Sequence, residues 1–300
     1  MTTGHRGAAR ITRRVRLSSR TPKRAHLWEV LSWPARSARS ARNVCTVTAR
    51  TRAAAALATV LFLAACGPSG EGWPGPSQRD FPPAPHQQVP EAAAAPRTAT
   101  DPVPIADLAR SGWLRDASRR TDIPVRVLAA YAGASLRVAE TEPECGLGWN
   151  TLAGIGAVES VHGSYLGARA ETDGTVRPPI IGIPLDGSEG VMEILDTDGG
   201  TLDGDPEWDR AVGPMQFIPT TWETYAQDGN LDGRADPHQI DDAALTAALY
   251  LCRTGGDVTT DDGWTAALAS YNRSVSYAHE VAELAESYAG EPGTGAVSGA

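Results

Sequence analysis

A short apolar run followed by a proline-rich stretch confines any folded core of this 300-residue chain to its last two thirds. The apolar run extends from Ala53 to Ala65, with Arg50 and Arg52 before it and Cys66 after it. Its 13 residues are too few to cross a bilayer as a helix, which takes about 20. A basic stretch, an apolar run of this length and small residues before a cleavage point form an export signal instead. Leu63-Ala64-Ala65-Cys66 has the form of a lipobox, at which bacteria attach diacylglycerol to the cysteine and cleave before it. Cys66 is therefore the expected lipidation site; a buried apolar helix with an incidental cysteine is the alternative. Export signals run about 15–30 residues, so initiation at Val47 is expected. That start leaves residues 47–65 as signal peptide and residues 1–46 as an untranslated basic leader.

Ten prolines lie between Cys66 and Pro104, with small residues and almost no periodic apolar pattern. Such a composition buries too little surface to offset chain entropy. Residues 66–104 are expected to form a semi-rigid tether of up to roughly 100 Å. One globular domain follows over residues 105–290, and residues 291–300 are a flexible glycine-rich tail. The charge is unevenly divided: residues 1–65 hold 13 Lys+Arg against one acid, and the other 235 residues hold 14 against 35. A folded part this acidic cannot condense onto phosphate backbones, which excludes nucleic acid as the main partner. Its expected site is the outer face of the cytoplasmic membrane, facing the cell wall, held there by the lipid.

Of the four cysteines, Cys45 falls in the leader and Cys66 at the lipid site. For the remaining Cys145 and Cys252 of an exported chain the default is one disulfide, with two buried thiols as the alternative. The globular part reads mainly as helices. Asp122 is expected to cap a helix over Val125–Glu140, and Asn150 one that stops at Gly163. Thr220 with Glu223 forms a capping box for a short helix ending near Tyr225. Asp241, Asp262 and Ser276 open three more. Strand signals are confined to residues 175–185, where two prolines limit them to a small hairpin. The fold class is predominantly helical α+β.

The candidate chemistry centres on Glu159. Leu152, Ile155 and Glu159 fall at i, i+3 and i+7, which places the carboxylate on an apolar helix face. Desolvation penalises the charged form and raises the pKa, which makes a general acid that keeps its proton near neutral pH. A salt-bridged structural glutamate is the alternative.

The strings GIGAVESVHGSYLG, AVGPMQFIPTTW and ASYNRSVSYAHEV, in that order behind a lipobox, resemble the membrane-bound lytic murein transglycosylase B family. The resemblance covers roughly residues 105–288. It implies a lysozyme-like fold of the goose-type lysozyme and transglycosylase kind, with peptidoglycan as substrate. The implied reaction is non-hydrolytic cleavage between N-acetylmuramic acid and N-acetylglucosamine, ending in a 1,6-anhydro ring. Glu159 would be the single acid and base, and no cofactor is needed for the chemistry. Gln216 would bind sugar, Tyr271 and Asn272 would line the site, and Ser160 would contact substrate. The family often carries a serine shortly before the Met-Gln segment; here DPEWDRAVG stands in its place, and Glu207 and Asp209 receive no role. Two other classes stay open: a hydrolytic muramidase, with Asp209 as its second carboxylate, and a non-catalytic wall-binding lipoprotein.

One further loop carries a metal signal. Asp228, Asn230 and Asp232 alternate, Gly233 follows where an EF-hand turns, and Arg234 would offer its backbone carbonyl. Position 12 is Gln239, so the standard motif fails. The resembled family has a longer variant, closed by an aspartate that Asp242 matches, and a structural calcium ion is the expectation. A second acidic run, Asp196 to Asp205, reads as a surface loop.

Overall fold

The computed structural model describes residues 80–94 and 102–290. The expected leader, signal peptide, lipidation site at Cys66 and tail lie outside the described residues. The described residues contain seven α-helices: α1 Ser111–Thr121, α2 Val125–Thr141, α3 Trp149–Ser160, α4 Pro219–Tyr225, α5 Ile240–Gly255, α6 Asp261–Tyr271 and α7 Val275–Ala289. Four short strands separate α3 from α4, namely β1 Arg169–Ala170, β2 Val176–Arg177, β3 Ile181–Pro184 and β4 Arg210–Val212. They pair antiparallel as β1 with β2 and β3 with β4. The class is predominantly helical α+β, as expected. Among the described residues, no helix is long and apolar enough to cross a membrane.

The core forms around α3, whose residues Trp149 to Gly156 are all buried. This corrects the expectation of one apolar face: the helix is enclosed by α2 and α7, with α5 behind α2. Such enclosure needs small residues. A Cβ on Gly154 would lie 2.8 Å from the carbonyl oxygen of Val281, and one on Gly156 only 2.0 Å from the hydroxyl of Tyr131. Cys145 and Cys252 are joined as a disulfide across 107 residues, tying the loop before α3 to α5.

Several helix starts differ from expectation, each for a local reason. Asp122 adopts a left-handed conformation and closes α1, a helix that the sequence patterns did not announce. At α5 the cap is the side chain of Gln239, accepting from the amide of Asp241, while Asp241 pairs with Arg126 of α2. Thr260 and Ser274 cap α6 and α7. In α4 the proline in the first turn replaces the expected capping box.

The largest correction concerns the tether. Residues 80–94 are laced onto the helices, with Pro82, Pro85 and Pro90 buried and Phe81 and Ala84 against the core. The amide of Ala84 donates to Asp261 of α6, and that of His86 to Glu286 of α7, both at 2.9 Å. Asn150 is not a cap. Its amide side chain reads the backbone of this strap, accepting from Gln88 N–H at 2.8 Å and donating to the carbonyls of His86 and Ala285. The open amides at the start of α3 are satisfied from the strap: Gly148 donates to Gln87 Oε1 and Trp149 to the carbonyl of Gln88. A polyproline-like segment has no internal hydrogen bonds, so its free backbone groups are available to a neighbouring helix.

Candidate active site

Glu159 sits in the last turn of α3, half-buried. Opposite it, the loop from α6 to α7 is set by two side chains. Asn272 Oδ1 accepts from the amide of Ser274 at 2.9 Å, and the Ser274 hydroxyl accepts from that of Tyr277. This start aims Tyr277, fully buried, at the carboxyl, and its hydroxyl donates to Glu159 Oε1 at 2.7 Å. Burial raises the Glu159 pKa to about 8, the Tyr277 bond pulling in the other direction. Burial, with the neighbouring Glu159 charge, holds Tyr271 and Tyr277 protonated well beyond the ordinary phenol range. The result is a carboxyl that keeps its proton at neutral pH and can release it to a base or leaving group.

The Met-Gln segment is a tight turn between β4 and α4. Val212 and Phe217 exchange backbone hydrogen bonds, and Gly213 passes with φ 78° where a Cβ would lie 1.9 Å from the carbonyl of Pro237. Two side chains stitch this turn to the other motifs. Ser160 of α3 donates to the carbonyl of Pro214 at 2.6 Å, and Tyr271 of α6 donates to that of Met215 at 2.8 Å. The three ordered motifs thus meet in space.

The individual roles differ in part from those expected: Tyr271 stands beside Glu159 and Asn272 in the facing loop, whereas Ser160 and Gln216 turn their side chains to the framework. Ser160 is fully buried and also accepts from Gly163, so it joins the framework and presents no hydroxyl to a sugar. Gln216 has φ 48° and turns its amide back onto the carbonyl of Gly213 at 2.8 Å. Asn272 serves the turn that starts α7. Tyr271 is half-buried, packed between Phe217 and Tyr250 at ring distances of 5.8 and 5.9 Å. Tyr277, the direct partner of the carboxyl, was missed because it reads as one more apolar position in YAHEVAEL. Its signal in the sequence is its place in the first turn after the Ser274 cap, five residues past Asn272.

The expected calcium loop takes another form. Asp228 accepts from the amides of Asp232 and Gly233, Asn230 from that of Asp232, and Asp232 from that of Arg234. Asp242, in the first turn of α5, accepts from Gly229, Asn230 and Asp236, with its pKa raised to about 6 mainly by burial. Asp228 adds to the rise at Asp242, but among the described residues the carboxylates of this loop do not form a group of three with oxygens within 4.8 Å of one another, and no step below runs through an ion. Among the described residues, three carboxylates whose oxygens lie within 4.8 Å of one another occur instead at Asp196, Asp198 and Asp209. Asp209 is fully buried there, and both its oxygens accept from Thr197.

Residues 205–265 match the family model of the transglycosylase SLT domain. The match spans β4, the Gln216 turn, α4, the 228–242 loop, α5 and the start of α6; Glu159 lies outside it. A similar solved structure is that of SltB3 from Pseudomonas aeruginosa in complex with NAG-anhNAM-pentapeptide, at 17% identity over 61% of this chain and 68% of that chain, with a TM-score of 0.34. No curated protein sequence matches the chain.

Proposed function

We propose that this chain is a peptidoglycan lytic transglycosylase of the membrane-bound lytic murein transglycosylase B type. In this reading a lysozyme-like catalytic domain is held at the outer face of the cytoplasmic membrane through lipidated Cys66. The observation that carries the reading is Glu159: one carboxyl, half-buried, held protonated near neutrality, where three motifs converge. The transglycosylase SLT match over residues 205–265 supports it from a separate part of the chain.

Glu159 would protonate the glycosidic oxygen as the bond from C1 of N-acetylmuramic acid breaks. The resulting carboxylate would then take the proton from the C6 hydroxyl of the same sugar as that oxygen closes on C1. One proton is given and one recovered, no water is consumed, and the product ends in a 1,6-anhydro ring. The Tyr277 hydroxyl suits the carboxylate stage, since it donates to the charged form and keeps it from becoming too basic. Tyr271, its hydroxyl committed to Met215, would face the sugar with its ring, and Gln216, its Nε2 committed to Gly213, would offer the sugar its Oε1. Ordinary glycosidases place a second carboxylate across the bond. Asp209, the candidate for that place in a muramidase, is buried and committed to Thr197, which weighs for the single-acid route.

The test is product analysis. The purified chain from residue 80 to residue 290 is incubated with peptidoglycan and the fragments are weighed. Anhydro-ended muropeptides, lost in Glu159→Gln, are the expected result. Fragments with ordinary reducing ends would establish a muramidase, and retained wall binding with no fragments from either protein would establish the non-catalytic lipoprotein.

A further inference from the structure

Directly after Glu159 and Ser160 the chain leaves α3 through three consecutive left-handed residues, Val161 (φ 53°), His162 (φ 58°) and Gly163 (φ 74°). Only the last is glycine. A β-branched residue in this region is a conformation that an unaided chain avoids. Val161 is 45% exposed, so burial of its side chain does not compensate. The bend is nevertheless ordered: Val161 N–H donates to Ala157 and His162 N–H to Gly156, at 3.0 and 2.8 Å.

The His162 ring folds back along α3 between two tyrosines. Its Nδ1 lies 3.4 Å from the Tyr131 hydroxyl and its Nε2 3.0 Å from that of Tyr288. A neutral imidazole has one donor and one acceptor, and each hydroxyl can serve either. Tyr131, on α2, is fully buried and occupies the space left open by Gly156. Tyr288 stands in the last turn of α7, the helix that also brings Tyr277 to Glu159. One ring therefore ties the exit of α3 to α2 and α7.

We infer that His162 is a positioning residue for Glu159: bridged between Tyr131 and Tyr288, it pins the left-handed exit of α3 and fixes where the last helical turn sets the carboxyl against Tyr277. The inference rests on the reading of Glu159 as the acid. Proton transfer demands placement within a fraction of an ångström, and losing it reduces turnover more than binding.

The experiment measures kcat and KM on peptidoglycan, with melting temperature alongside, for the full chain and its variants. His162→Phe keeps a ring but loses both hydrogen bonds; kcat should fall about 10-fold with KM within about 2-fold. Val161→Gly alone should leave turnover unchanged. In the His162→Phe background it should restore kcat to within about 3-fold of the parent, because glycine takes the left-handed bend unaided. A fall in kcat that Val161→Gly does not rescue would overturn the inference and leave His162 as packing. If His162→Phe does not fold, Tyr288→Phe carries the test: a partial kcat loss cancelled by Val161→Gly supports the role, and parental kcat overturns it. Glu159→Gln separates the two readings. Turnover surviving in Glu159→Gln defeats the proposed function, whereas an inactive Glu159→Gln beside a fully active His162→Phe defeats only the positioning role.

Discussion

At its first turn α3 is held by Asn150, a fully buried amide whose donor and acceptor groups are matched by the strap and by Ala285 of α7. At its last turn the same helix presents Glu159, a carboxyl matched by a single hydroxyl and held away from its preferred ionisation state. One end satisfies its polar groups and gains stability; the other leaves a group short of solvent and gains reactivity. A buried polar residue therefore signals function only after its partners have been counted. Asn150 and Glu159 are nine positions apart on one helix, and the count of their partners separates the satisfied amide from the strained carboxyl.

The sharpest way to break this comparison is Glu159→Gln. Turnover should fall about 1,000-fold or more, since the proposed proton donor is lost. Stability should move the opposite way. A group whose folded pKa is raised, from 4.5 to about 8, contributes its full stability below pH 4.5 and loses it as pH rises to about 8. At pH 7 the amide should therefore be more stable than the parent, by on the order of 2 kcal/mol after allowance for partial exposure, and the difference should vanish by about pH 4. A lower melting temperature for Glu159→Gln at pH 7 would show that the carboxyl is structural.

Asn150→Ala should do the reverse. Three partners lose their match, so unfolding by urea should show a loss of about 2–3 kcal/mol, while kcat of the folded fraction stays at the parent value. A drop in kcat without a drop in stability would erase the distinction between the ends.

Tyr277→Phe sharpens the picture at the reactive end. Removing the hydroxyl takes away the interaction that lowers the Glu159 pKa, so the alkaline limb of the pH–rate profile, expected near pH 8, should move upward while kcat falls about 10-fold. A limb that moves downward would place another group in control of it.

The smallest effect is expected from calcium. With the 228–242 carboxylates committed to loop amides, melting temperatures in chelator and in millimolar calcium should agree. A rise of several degrees, lost in Asp232→Ala, would restore the ion to that loop.

The elements that could be anticipated were those whose signal is local. The apolar periodicity of α2, α5 and α7 and the aligned motifs around Glu159 need only neighbouring residues to be recognised. α1 escaped because its stretch SGWLRDASRRT is rich in arginine and carries only a narrow apolar stripe around Leu114 and Ala117. The strap escaped because proline-rich composition states that a segment cannot fold alone, and says nothing of a surface built to receive it. Ser160 and Gln216 stand within the anticipated motifs, yet their hydrogen bonds run to the framework, a distinction that depends on where Pro214 and Gly213 lie in space.

The strap also sets an order of events. The first described residues bind Asp261 and Glu286, near the opposite end of the chain, and α3 finds its main partner in α7. These contacts close long loops, so the domain cannot complete itself while it is still emerging from the ribosome. Until its last helix arrives, the segment carrying Glu159 remains unlatched and Tyr277 has no carboxyl to meet. A nascent chain arrested short of residue 277 would thus be inert as well as unfinished.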